Sequence, residues 1–159
     1  MRPKHRWLTV LGLVWLAGLI GFLGYILYRN TTERVLDAYA LDWTATLISE
    51  HLDRHDGAWP KSWDDLAATA ERLRQESPSV TTGEPAVSSR EELERTRKRV
   101  RVNFEVNRTQ LLQEAGDAES PPWEVISLRT GRKPRYQGRD PNVVILDHLR
   151  ARAARWGSR

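Results

Sequence analysis

From Trp7 to Tyr28 the chain reads WLTVLGLVWLAGLIGFLGYILY, twenty-two residues without a charge. About 20 apolar residues at about 1.5 Å rise each carry an α-helix across the ~30 Å hydrocarbon of a bilayer. Arg2, Lys4, His5 and Arg6 precede the run. Trp7, Tyr25 and Tyr28 lie at its ends, where amphipathic rings favour the lipid–water interface. A cleaved secretory leader is the competing reading. Such leaders have an apolar core of about 7–15 residues followed by an A-x-A-like site, and this run is longer and lacks the site. The pattern predicts a cytoplasmic basic N-terminus over 1–6, a transmembrane helix over 7–28 and an extracytoplasmic domain over 29–159. The basic groups before the span outweigh Arg29 and Arg34 just after it, which places the N-terminus inside. The expected address is the inner (cytoplasmic) membrane, in single-pass topology.

Some 130 residues remain outside the span, enough for one small domain with a modest core. Cysteine is absent, which excludes disulfides, thiolate metal ligands and a cysteine nucleophile. The net charge of +4 is unevenly spread. Residues 33–76 hold ten acids against five bases, whereas 129–159 hold nine Arg and Lys against Asp140 and Asp147.

No Pro or Gly lies between Gly24 and Gly57, so one helix can run from about Trp7 to Asp56, roughly 75 Å. Alternatively Asn30 or Thr31 caps a fresh helix, with Glu33 three residues beyond Asn30. In the outer half Leu36, Ala40, Trp43, Leu47 and Ile48 share a face at 3- and 4-residue spacing. Gly57 should stop the helix by taking a left-handed conformation. Ser62 with Asp65 opens a short helix over Trp63–Gln75, and residues 77–90, rich in Ser, Thr, Pro, Gly and Ala, predict a flexible loop. Ser89 with Glu92 opens a second charged helix. Val100, Val102, Phe104 and Val106 alternate with Arg101, Asn103, Glu105 and Asn107, the clearest strand signal in the chain. Residues 109–114 fit either state. Trp123–Arg129 reads as a second strand, Thr130–Gly131 as a turn, and Lys133–Gln137 as a returning strand. Asp140–Pro141 is an N-cap and first-turn pair for a C-terminal helix with Ile145, Leu149, Ala153 and Trp156 inward, although Val143–Ile145 also suits a strand. The expected fold class is α+β: the transmembrane helix extends into an amphipathic helix packed on a small antiparallel sheet of about three strands, with short additional helices.

Few groupings suggest chemistry. His51 and His55 share a helix face at the i, i+4 spacing that zinc sites use, but in H-L-D-R-H Leu52 stands where a zincin has its general base, and no third ligand is evident. A solvated polar face is the simpler reading. There is neither a G-x-S-x-G elbow nor a Gly-rich phosphate loop outside the apolar run. Gly18, Gly21 and Gly24 fall within that run, where Ala17 and Gly21 have the small-xxx-small spacing of paired membrane helices. No catalytic, cofactor or metal residue is assigned. The basic C-terminal region offers Arg129, Arg132, Lys133, Arg135, Arg139 and Trp156 as partner-binding residues, for an anionic polymer, a membrane surface or a protein. Nucleic acid is a weaker candidate, and pairing with the acids of 33–76 is the simplest account.

The segment HLDRHDGAWPKSWDDL is the most distinctive, joining Gly57, Trp59, Pro60 and Trp63 in a structural turn where two tryptophans can lock one helix on the next. A membrane helix continuing into an amphipathic helix, a D-G-x-aromatic-P turn at Asp56–Pro60, a Leu-bearing helix and antiparallel strands together resemble a type II secretion pseudopilin. Small bacterial membrane-anchored proteins with a G-x-W-P-x-S-W-x-D-L stretch, here Gly57–Leu66, look similar. The prepilin processing motif is missing: Gly21–Phe22 is mid-span, and Ile26 stands where the glutamate belongs. The resemblance implies a non-catalytic structural or assembly component of a bacterial envelope complex, with the bilayer and a membrane or envelope protein as partners and self-association possible.

Overall fold

A computed structural model describes residues 4–76, 89–133 and 139–156 of the chain. Among them are α1 (Lys4–Arg54), α2 (Trp63–Glu76), α3 (Ser89–Arg99), β1 (Val100–Val102), α4 (Arg108–Ala115), β2 (Ile126–Leu128) and α5 (Pro141–Trp156). The chain divides into two compact units, Met1–Leu36 and Asp37–Arg159.

The first unit is helix throughout its described length, and every apolar residue described from Val10 to Tyr28 is exposed. α1 is long and apolar enough to cross a membrane. The helix does not restart at Asn30 or Thr31. Thr31 and Thr32 instead turn their hydroxyls back onto the carbonyls of Leu27 and Tyr28, at 2.9 and 3.0 Å. That bonding lets a threonine sit inside a helix rather than cap one.

The second unit is mostly helical with a two-stranded antiparallel sheet, an α+β arrangement. Its core joins Ala40, Leu41, Leu47, Ile48 and Leu52 of α1 with Leu66 of α2, Val100 and Val102 of β1, Leu111 of α4, Ile126 of β2 and Ile145, Leu146 and Leu149 of α5. Trp43 and Phe104 lie half-buried against this cluster. The buried stripe starts later than the sequence suggests, because Leu36 is 42% exposed. Polar links hold α3 to α1: Arg99 donates to Asp37 at 2.8 Å and Tyr39 to Glu92 at 2.6 Å.

α1 is stopped at Gly57 as expected, by a backbone device in which Asp56 shares the left-handed conformation. Asp56 takes the left-handed conformation (φ 52°) and Gly57 follows at φ 76°. The Gly57 amide reaches the Leu52 carbonyl at 2.7 Å, the six-to-one bond of a Schellman ending. Ser62 accepts from the Asp64 amide, and Asp65 reaches past it to the Lys61 amide at 2.7 Å. Both ends of the Gly57–Trp63 turn are thereby fixed.

The strands are shorter than the alternation predicts, and the asparagines are the reason. Asn103 still donates to the Val125 carbonyl at 2.9 Å. Its own carbonyl, however, accepts the Trp59 indole N–H at 3.0 Å, and its side chain accepts the Glu105 amide. Asn107 then caps α4 by accepting from the Thr109 and Gln110 amides. Asparagine side chains compete with ladder bonds in this way, so β1 stops at Val102 while Phe104 and Val106 still pack inward from irregular chain. The ambiguous 109–114 stretch is α4. The second strand is limited to Ile126–Leu128, and Lys133 is not in a strand. The rest of the expected returning strand and the loop over 77–88 lie outside the described residues. Val143–Ile145 is helical in α5, while Ala153 is exposed rather than inward.

Candidate anion-binding cleft

β1 buries Val100 and Val102 and so turns Arg101 outward. The register sets Arg101 opposite Ser127 of β2. Beyond β2 the chain folds back in a tight turn, the Gly131 amide donating to the Leu128 carbonyl at 3.0 Å. Gly131 has φ 68°, where a residue without Cβ meets no strain. The turn delivers Arg129, Arg132 and Lys133 to the same place as Arg101. These four cations line a cleft of about 530 Å³ with Ser127 and Asn142, over apolar Leu41, Ile126 and Leu128. Glu124 and Asp140 are the acids along it.

The cations differ in how they are held. Arg129 donates from Nε to the carbonyls of Arg97 and Val100, at 2.9 and 3.2 Å. That leaves the outer nitrogens of its guanidinium without a bond among the described residues. The side chains of Arg101, Arg132 and Lys133 are exposed and have no described partner. Asp140 is occupied, its carboxylate accepting the Asn142 amide at 2.8 Å as the cap of α5.

Arg139, the remaining basic candidate described, and two further arginines, both in α5, make internal contacts. Arg139 pairs with Asp147, and Arg150 donates to the carbonyls of Gly116 and Ala118 at 2.6 and 2.8 Å. Arg152 pairs with Asp53 at 2.6 Å, as expected for basic residues serving the acids of 33–76. Arg135 and the Trp156 side chain lie outside the described residues.

Asn142 is the residue that sequence reasoning missed. It is 6% exposed, and its Oδ1 accepts the amides of Val125 and Ile126 at 2.8 and 2.9 Å. Its Nδ2 donates to the Ile126 carbonyl at 3.0 Å. One side chain thus satisfies the outer edge of β2 and positions that edge along the cleft. An asparagine in a first helical turn resembles any cap-region residue in sequence, and nothing there signals burial. Arg101 was visible as the polar member of an alternating strand, but its nearness to Arg132 depends on a register the sequence does not print.

The tryptophan turn and the histidine pair make contacts within the second unit. Trp63 is buried and meets Phe104 edge-on at a ring separation of 6.0 Å. Trp59 is half-buried, Pro60 is buried, and the Gly57 carbonyl accepts from Arg108 at 2.7 Å. His51 corrects the solvated-face expectation: it is 6% exposed, stacked on His55 at 4.0 Å and 3.3 Å from the Thr69 hydroxyl. Burial, then the neighbouring His55, hold its imidazole below the ordinary value, with Asp65 opposing. Among the described residues no three His, Asp or Glu side chains gather as metal ligands.

No family model, curated protein or solved structure matches this chain.

Proposed function

We propose that the protein is a non-catalytic, single-pass membrane-anchored assembly component of a bacterial envelope complex that holds an anionic partner at the Arg101–Arg129–Arg132–Lys133 cleft. The convergence of these four cations on one concavity carries the reading. Dispersed surface arginines would be occupied by neighbouring acids, as Arg139 and Arg152 are. The uncharged 7–28 run, exposed from Val10 to Tyr28, supports the anchor, and its flanking charges support an extracytoplasmic second unit. The order of elements through the Gly57–Trp63 turn supports a pseudopilin-like scaffold role, with the cleft as its contact point.

The test is salt elution of the full chain, in maltoside micelles, from a phosphocellulose matrix. Arg101→Glu with Arg132→Glu should elute at markedly lower salt than Arg74→Glu with Lys98→Glu, which changes net charge equally on α2 and α3. Screened electrostatic contacts give that dependence only where the charges converge on the ligand. Equal elution of the two double variants would refute a localised anion site.

A further inference from the structure

We propose that the cleft recognises a phosphoryl group, carried either by a lipid headgroup or by a soluble phosphate. This rests on reading the cleft as an anion site and narrows its ligand. The donors come from different directions: Arg101 and Ser127 from facing positions of the sheet, Arg129 from the strand end, Arg132 and Lys133 from the chain after the turn. A compact anion with several strong acceptor oxygens can take hydrogen bonds from all these sides at once. An extended acidic peptide would be served better by a row of cations along one edge. The guanidinium fork matches two phosphoryl oxygens. Arg129 is already oriented through its Nε, so less side-chain freedom is lost when its outer nitrogens engage a ligand.

Charge and size agree with this choice. Four cations face two carboxylates, and Asp140 is committed to capping α5. The surplus suits a phosphomonoester, which carries about −1.5 to −2 near neutrality. A cleft of about 530 Å³ is the size of a small-ligand site rather than of a polymer groove. Leu41, Ile126 and Leu128 add an apolar floor for whatever bears the phosphate.

The experiment is calorimetric titration of the full chain in phosphate-free maltoside micelles with inorganic phosphate, against acetate and polyglutamate at matched ionic strength. Phosphate should bind with measurable heat and the other anions should not. Arg101→Gln or Arg132→Gln should weaken phosphate binding at least tenfold, while Arg74→Gln leaves it unchanged. The same titration in phosphatidylcholine nanodiscs with and without phosphatidic acid separates the sources. Loss of the phosphate heat when phosphatidic acid is present identifies a lipid headgroup in the cleft, and its persistence identifies a soluble phosphate. Acetate or polyglutamate binding as well as phosphate would overturn the phosphoryl assignment while leaving the anion site standing. No heat with phosphate would overturn the phosphoryl assignment, and equal elution of the two double variants above would overturn the anion site on which it rests.

Discussion

Replacing Asn142 with alanine should cost the second unit far more than a surface-helix substitution. The side chain supplies one acceptor for two backbone amides and one donor for a carbonyl, all on Val125 and Ile126. Both residues are only 1% exposed, so water does not readily replace the lost partner. An orphaned buried polar group costs about 1–3 kcal/mol. Three of them, partly relieved by local relaxation, give roughly 3–6 kcal/mol. A small domain has about 5–15 kcal/mol in total, so Asn142→Ala should remain folded at low temperature with a much reduced melting point. Urea unfolding of the full chain in maltoside micelles, followed by circular dichroism, measures the loss. Hydrogen exchange should localise it to the Val125 and Ile126 amides. A variant within 1 kcal/mol of the parent would refute the claim that this side chain closes the edge of β2.

Two further outcomes follow from the same core. Trp63→Ala should destabilise the second unit by about 3–5 kcal/mol, and Trp59→Ala by only about 1–2, since Trp59 is half-buried and loses mainly its bond to the Asn103 carbonyl; a reversed order in urea unfolding would show that the turn is anchored otherwise. His51, with its folded-state pKa lowered from 6.5, contributes stability that is complete above that value. As pH falls, the unfolded chain takes up a proton that the native site resists, so this stability is lost as pH drops through the lowered native value. His51→Asn should flatten the pH dependence of the melting point below neutrality, and an unchanged slope would assign it to other groups.

The features legible in the sequence are those set by local chemistry. The uncharged run, the helix stop near Gly57, the Ser62–Asp65 start, the Asp140 cap and the turn at Gly131 all depend on residues within a few positions of one another. Strand length was not legible, because Asn103 and Asn107 continue a polar alternation while their side chains leave the ladder. His51 looked solvated because its cover, Thr69, comes from α2, eighteen residues on. The cleft was half visible. Arg129, Arg132 and Lys133 adjoin in sequence, but Arg101 joins them only through the pairing of β1 with β2, and nothing local distinguishes the internally paired Arg139 and Arg152 from the cations that line the cleft.

The absence of cysteine makes membrane anchoring and an extracytoplasmic cleft directly measurable. Single substitutions Gly18→Cys, Lys61→Cys and Arg132→Cys are treated in intact cells with a membrane-impermeant maleimide, then again after denaturation. Positions 61 and 132 should label in intact cells, and position 18 only after denaturation. Labelling of 61 and 132 only once the cells are broken would place the cleft in the cytoplasm, and labelling of position 18 in intact cells would contradict the membrane span.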